Sequence, residues 1–340
     1  MQKFLLLVFL LTSLSLSAQM RQGDRLISTV NTGSSLFPIP DPVAGAQLSF
    51  HPSADAFYAS FAASYGYAVL DRLMLGSYVN GYYTSQEQSF SRYDLTPFVR
   101  YYVLNREKLQ VYGEIGSNIT NSGNSSFSAF TSATLSAGVQ VPLAPDVFFT
   151  PALSYFAHAG RNSLTLGTGL QLRLGQREGE ERVIGRMARG QFMLGANSVG
   201  LFRRRNYFSG NVNLGGHYLL TDRLALGLTA GGNYADFDVT SSGFPTNTSG
   251  VVLGTSARYY LNNERHVLWF AEAGAGRTWS RQKYRTQRDV TLSYTSLMLG
   301  GGAQVFIREH ISLEVAPAIR YNTLTDAASL DLGFGIRFGL

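Results

Sequence analysis

The chain of 340 residues contains no cysteine, which excludes disulfides, iron–sulfur clusters, cysteine-ligated zinc and thiol catalysis. Charged residues make up only 15% of it, whereas about 25% is typical of soluble domains. After residue 19 no apolar run approaches the roughly 20 residues that a transmembrane helix needs. If the mature chain lies in a membrane, it must cross as a closed barrel, because only helices and barrels satisfy their own backbone hydrogen bonds there.

Aromatic residues and glycine are abundant instead, at 13% and 36 residues. This composition is typical of β-structure that exposes much of its surface to something other than water. The net charge of +6 is mild. No basic face or basic helix accompanies it, so the sequence argues against a nucleic-acid partner.

The first residues predict export. Lys3 supplies a positive charge, residues 4–16 form an apolar segment, and Ser17 and Ala18 offer small residues at a cleavage site. This pattern is that of a secretory signal peptide over residues 1–18, because the apolar segment is too short to span a membrane.

The remaining chain contains an internal duplication. Five blocks recur in the same order, with an offset that drifts only from 151 to 166 residues. The paired blocks begin at Leu70 and Thr221, Val99 and Ala257, Ser132 and Ser296, Pro151 and Pro317, and Ser163 and Ser329. The sequence therefore predicts a first repeat over residues 19–175, a charged linker over 176–190 and a second repeat over 191–340.

Each repeat divides into eight alternating segments separated by turn signals. The predicted strands lie near residues 25–36, 55–70, 72–85, 92–104, 108–120, 127–142, 147–158 and 162–175, then 191–202, 208–220, 223–237, 249–262, 266–278, 290–307, 310–322 and 327–340. Short connections alternate with longer ones, among them 37–54 and 279–289, and this asymmetry is typical of outer-membrane barrels. The predicted fold class is all-β, a transmembrane antiparallel β-barrel of two tandem eight-stranded repeats.

The two faces of the strands differ in chemistry. Leu226 and Leu332 lie on an apolar face that we expect to contact lipid, whereas Thr229 and Asp331 lie on a small, polar face that we expect to be enclosed. Charges on the polar face come as partners. Arg100 and Glu114 lie on adjacent strands, and Arg258 and Glu272 repeat them at one offset, which predicts interior ion pairs, since a buried charge is costly unless it is paired.

These features resemble the small outer-membrane barrels of Gram-negative bacteria, the class of OmpX, OmpW and the OmpA membrane domain. The last strand, "SLDLGFGIRFGL", is similar to the terminal signal that such proteins present to the barrel-assembly machinery, although it ends in Leu340 rather than in an aromatic residue. The resemblance implies a location in the cell outer membrane, insertion by that machinery and contact with outer-membrane lipid and lipopolysaccharide.

Two repeats of eight strands each are compatible with two architectures, a pair of eight-stranded barrels or one sixteen-stranded barrel. Small barrels fill their interiors with side chains, whereas barrels of 16 to 18 strands leave an aqueous channel. Bulky inward residues such as Tyr78, Phe98 and Tyr112 favour two packed barrels. The alternative is one sixteen-stranded barrel, because a duplicated barrel can fuse by pairing its eighth and ninth strands.

Basic residues concentrate in segments of the second repeat that we expect to be outer loops. A contact with lipopolysaccharide phosphates or another polyanion is one interpretation, and a solvated loop is the other. The residues concerned are Arg203, Arg204, Arg205, Arg277, Arg281, Lys283, Arg285 and Arg288.

No catalytic, cofactor or metal site is predicted. The five histidines lack the spacing of metal ligands, and the short pair of His51 and Ser53 has no acid nearby. The predicted function is therefore a non-enzymatic outer-membrane barrel with a structural or surface-interaction role and a packed polar interior. The alternatives are a sixteen-stranded porin-like channel for small solutes and a lipid-modifying barrel enzyme.

Overall fold

The computed structural model describes residues 20–28, 45–51, 56–85, 89–122, 128–144, 146–158, 162–174, 185–194, 198–204, 207–237, 245–262, 264–284, 288–308 and 311–339. Its regular elements are strands. They are β1 (Arg25–Ser28), β2 (Gly45–His51), β3 (Ala56–Leu70), β4 (Leu73–Ser85), β5 (Ser89–Arg106), β6 (Leu109–Ser122), β7 (Ser128–Ala144), β8 (Val147–His158), β9 (Ser163–Leu174), β10 (Gly185–Arg186), β11 (Phe192–Leu194), β12 (Ser198–Arg204), β13 (Tyr207–Leu219), β14 (Leu224–Phe237), β15 (Pro245–Tyr260), β16 (Glu264–Arg265), β17 (Val267–Tyr284), β18 (Val290–Arg308), β19 (Ile311–Asn322) and β20 (Ala327–Gly339). Within these ranges, no helix is long and apolar enough to cross a membrane.

The all-β prediction is confirmed, and most predicted strands lie within a few residues of the observed ones. Two expectations were wrong. Residues 45–51, predicted as part of a long loop, form β2, and β17 continues to Tyr284 instead of ending near residue 278. In β17 the high density of charge suggested a loop. The basic residues and Trp279 occupy every second position there, with uncharged residues between them, and this period of two is compatible with a strand.

At the end that carries the short turns, such as residues 71–72 and 107–108, the described strands close into two separate rings. The first repeat closes on itself because β1 pairs with both β3 and β9. The second repeat closes in the same way, because β11 pairs with both β13 and β20. Each ring contains eight antiparallel strands, β1 with β3 to β9 in ring one, and β11, β13 to β15 and β17 to β20 in ring two.

At the opposite end the described strands form one ring of sixteen. There β12 of the second repeat pairs with β9 of the first, and β2 of the first repeat pairs with β20 of the second. In the first repeat both β1 and β2 pair with β3, and in the second both β11 and β12 pair with β13, so only the other neighbour differs between the two ends. The barrel is forked, and each of the two architectures predicted from the sequence describes one of its ends.

The apolar face of the strands points outward. Leu226 is 46% exposed, whereas Asp331 on the polar face is 4% exposed. The only two tryptophans of the chain, Trp269 and Trp279, both lie exposed on the outward face of β17. Ten residues of a strand tilted by about 40° rise by roughly 25 Å, the height of the apolar band of an outer-membrane barrel. The spacing of the two indole rings therefore matches the distance between the two interfaces of a membrane.

The two rings pack against each other through outward-facing side chains near the short-turn end. Leu172 on β9 lies on the same face as the exposed Leu164 and Leu166, yet it is fully buried. It belongs to a hydrophobic cluster that joins Val147, Leu170 and Leu172 of ring one to Ile311 and Ile336 of ring two. Protein, rather than lipid, covers this part of both walls.

Candidate functional site

The interior of ring one is packed around Arg100. The Arg100 Nη2 atom lies 2.8 Å from Glu114 Oε2, and both side chains are buried. The Tyr78 hydroxyl donates to Glu114 Oε1 at 2.9 Å, and Arg100 Nη1 donates to Gln171 Oε1 at 3.2 Å. The guanidinium carbon also lies 4.0 Å from the centroid of the Tyr112 ring. Hydrogen bonds, ion pair and ring together make this interior a packed one.

Ring two holds a larger cluster built on the same pair. Arg258 Nε donates to Glu272 Oε2 at 2.9 Å, and Arg258 Nη2 donates to Glu314 Oε1 at 3.1 Å. Arg337 Nε in turn donates to Glu314 Oε2 at 2.7 Å. Two guanidinium groups therefore share two carboxylates, and the charges balance. The structure thus brings both predicted pairs together and adds Glu314 and Arg337 to the second.

His217 completes the cluster of ring two as a neutral imidazole. Its Nε2 atom lies 3.0 Å from Glu272 Oε1, and its Nδ1 atom lies 3.1 Å from Arg337 Nη1. Since a guanidinium can only donate, Nδ1 must accept from it, and the hydrogen lies on Nε2, which donates to Glu272. The histidine therefore extends the cluster without changing its charge.

Comparing the two repeats position by position shows how the larger cluster fits. Glu314 and Arg337 take the places of Phe148 and Gln171, at an offset of 166. His217 replaces Gly66, where an added Cβ would lie 2.5 Å from the sulfur of Met74. Ring two has Ala225 in place of that methionine, and the smaller side chain leaves room for the imidazole. Both rings thus contain a hydrophobic cluster, and ring two adds a larger cluster of charged groups beside it.

A tight turn before the first strand closes each ring at the short-turn end. Met20 and Met187 are buried in the hydrophobic clusters of ring one and ring two. Three residues later, Gly23 and Gly190 adopt φ values of +90° and +89°, a conformation that favours glycine. The Gly23 N–H donates to the Ala68 carbonyl at 2.8 Å, and the Gly190 N–H donates to the Leu219 carbonyl at 2.9 Å. The turns therefore insert one methionine into each ring.

Sequence reasoning missed these turns, although a signal was present. The segments "MRQGD" from Met20 and "MARGQ" from Met187 form a sixth repeated block at an offset of 167. The second segment falls at the end of the predicted linker.

In the first of these turns, burial raises the pKa of the Asp24 carboxyl, against the opposing effect of its hydrogen bond from the Arg21 N–H.

The eight basic residues predicted as a possible polyanion contact do not all lie in one place. Arg277, Arg281 and Lys283 lie exposed on the outward face of β17 rather than in a loop. Arg203 is exposed on β12, and Arg288 is exposed just before β18. Arg205 and Arg285 lie outside the described residues, as does the side chain of Arg204.

The short pair of His51 and Ser53 falls at the edge of the described part of the chain. Ser53 and the His51 side chain lie outside it. Within it, no group of three histidine, cysteine or acidic side chains could hold a metal ion.

Comparisons with known proteins find similarity among solved structures only. No family model and no curated protein matches the chain. Among solved structures, a bacterial polysaccharide outer membrane secretin is similar over 94% of this chain and 99% of its own, with a TM-score of 0.50 and 11% identity. OccAB3 of Acinetobacter baumannii matches over 94% and 98% of the two chains, with a TM-score of 0.43 and 8% identity. The N-terminal barrel of Pseudomonas aeruginosa OprF matches 45% of this chain and 98% of its own, with a TM-score of 0.29 and 13% identity. In its fold, the chain is an antiparallel β-barrel similar to that of a solved outer-membrane protein.

Proposed function

We propose that this chain is a non-enzymatic barrel of the cell outer membrane, closed to solutes, with a structural or surface-interaction role. The observation that carries the proposal is the packing of both rings. Arg100, Tyr102, Arg258 and Tyr260 are each at most 1% exposed, and the Met20 and Met187 turns cover them at the short-turn end. A lumen filled in this way resembles the side-chain-filled interior of small barrels rather than an aqueous channel.

The proposal extends to export and assembly. Residues 1–18 act as a cleaved signal peptide, and the barrel-assembly machinery inserts the mature chain among outer-membrane lipid and lipopolysaccharide. Each repeat, 19–175 and 191–340, is similar to the small barrels of the OmpX, OmpW and OmpA class, and residues 176–190 link them. The two turns fit this division, because each precedes the first strand of its repeat.

A sixteen-stranded channel is the second candidate, and one observation favours it. At the opposite end, the pairings of β9 with β12 and of β2 with β20 join the walls of both repeats into a single ring. A ring of that size encloses an aqueous lumen in porins. The two candidates therefore differ in whether solutes can pass the two packed clusters, which lie between this ring and the short-turn end.

Single-channel recording in planar bilayers separates the candidates. We expect no steady openings from the full-length protein, since the clusters and turns close both rings. A sixteen-stranded porin reconstituted in parallel shows that the assay detects such openings, and heat-modifiable gel mobility of the same sample shows that the chain is folded. Steady openings of porin size from the folded protein would overturn the closed barrel in favour of the channel.

A further inference from the structure

We propose that the outward wall of β17 binds the phosphate of a lipid in the membrane leaflet at the long-loop end. The site consists of Arg277, Arg281 and Lys283 with Trp279, and we call it the β17 patch. This inference rests on the proposed membrane location and names the partner of that surface. A phosphorylated glycolipid such as lipopolysaccharide carries the required group.

The strand itself sets the geometry of the patch. The four residues occupy every second position from 277 to 283, so all four side chains point to the outward face, about 7 Å apart along the strand. All four are exposed. Three cations around one indole ring therefore form a continuous stripe that a lipid head group can reach from the side.

The level of Arg277 in the membrane argues for a lipid ligand. Trp279 marks the interface at the long-loop end, and Arg277 lies two residues deeper, toward the apolar band. The hydrogen bond described for its guanidinium, from Nη1 to Thr295 Oγ1 at 2.9 Å, goes to a neutral acceptor. A cation at that depth is costly unless a counter-charge reaches it, and a lipid phosphate lies at the level to supply one.

The neighbouring charges leave the patch positive. Arg281 pairs with Asp289 at 2.7 Å, and both side chains are exposed. Arg288 adds a further exposed cation, and Asp236 on the outward face of β14 adds an anion. Among the described residues around the patch, four basic and two acidic side chains therefore leave a net charge of +2 for an anionic ligand.

Apolar side chains lie directly below the patch. Leu253, Leu297 and Leu299 on the two flanking strands are exposed on the same face. The register sets Leu253 and Thr295 opposite Arg277, and Leu297 and Leu299 lie deeper on β18. Basic groups above an apolar wall fit a molecule with a phosphate and acyl chains better than they fit free phosphate.

The first repeat lacks the patch. At the offset of 158 residues, the sequence positions of Arg277, Trp279, Arg281 and Lys283 hold Ile119, Asn121, Gly123 and Ser125. Ile119 lies on the outward face of β6, in a wall that is otherwise similar. The lipid site therefore belongs to the second repeat alone.

Tryptophan quenching tests the patch directly, because the chain has only two tryptophans. The W269F variant, refolded into phosphatidylcholine vesicles, reports only on Trp279. We expect brominated phosphatidic acid, which carries a phosphate monoester, to be enriched around Trp279 at least about fivefold over brominated phosphatidylcholine at equal mole fraction. That factor corresponds to about 1 kcal/mol for one basic side chain at a membrane surface.

Three controls make the result specific. Replacing Arg277, Arg281 and Lys283 by glutamine in the same background should bring the enrichment close to one, whereas Arg223→Gln at the short-turn end should leave it unchanged. The W279F variant, which reports on Trp269 instead, should show no enrichment. Equal quenching by the two lipids, or enrichment that survives the triple substitution, would overturn the site. Heat-modifiable mobility in the same vesicles separates this outcome from a chain that does not insert as a barrel.

Discussion

Arg258→Met is expected to lower the free energy of unfolding by about 3–5 kcal/mol, the usual effect of removing one partner from a buried ion cluster. Arg258 donates to both Glu272 and Glu314, which are almost fully buried. Without it, one guanidinium, that of Arg337, faces two carboxylates. Urea unfolding of the protein in lipid vesicles, followed by heat-modifiable mobility, measures the loss.

A compensating substitution sharpens this prediction. In the double variant Arg258→Met with Glu272→Gln, Arg337 and Glu314 remain as a balanced pair, so most of the loss should be recovered. Arg223→Met, at an exposed position of the short-turn end, should change stability by no more than about 0.5 kcal/mol. A loss below about 1 kcal/mol for Arg258→Met, or a double variant less stable than the single one, would show that these charges do not act as one cluster.

Leu172→Ala should destabilise the protein by about 2–5 kcal/mol, because it opens a cavity between the two rings. Leu166→Ala is the matched control. It lies six residues away on the same face of β9, but it is exposed to lipid, which can fill the space that the truncation leaves. We therefore expect a loss of no more than about 0.5 kcal/mol there, as is usual for an exposed position outside a packed cluster. The same unfolding assay compares the two, and equal losses would mean that lipid, rather than the second ring, covers Leu172.

The sequence allowed the strands, their facing and the first ion pair of each ring to be predicted. The strand period of two is strong in both repeats, and Arg100 with Glu114 and Arg258 with Glu272 stand at one offset on adjacent strands. By the same alternation, Glu314 and Arg337 also fall on the polar face of their strands. The hairpin of β19 and β20 pairs these two residues' strands locally. Their contact with Arg258 on β15 depends on the closure of ring two through β11, and no local pattern states that closure.

The fork could not be predicted because it is a property of strand edges. Whether β9 pairs with β1 or with β12 depends on which chain segment reaches its free edge, and all three strands alternate in the same way. β17 was cut short for a different reason. Arg277, Arg281 and Lys283 suggested a solvated loop by their charge, whereas their spacing of two or four residues is equally that of one face of a strand.

The forked barrel is tested most directly by two engineered disulfides, since the chain has no cysteine of its own. Leu194 and Phe338 are paired across β11 and β20 within ring two, and Leu166 and Leu201 are paired across β9 and β12 between the repeats. Cα atoms of directly paired antiparallel residues lie about 4.5–5.5 Å apart, within the range that a disulfide bridges. A protease site placed between residues 175 and 184 allows the repeats to be separated on a gel.

We predict that both cysteine pairs oxidise in the folded protein. After cleavage, the pair at positions 166 and 201 should hold the two repeats together until a reductant is added, whereas the pair at 194 and 338 should leave them separate and alter the mobility of the second. Two independent barrels would fail to form the disulfide between positions 166 and 201. A simple sixteen-stranded barrel would fail to form the one between positions 194 and 338. Either failure would contradict the fork.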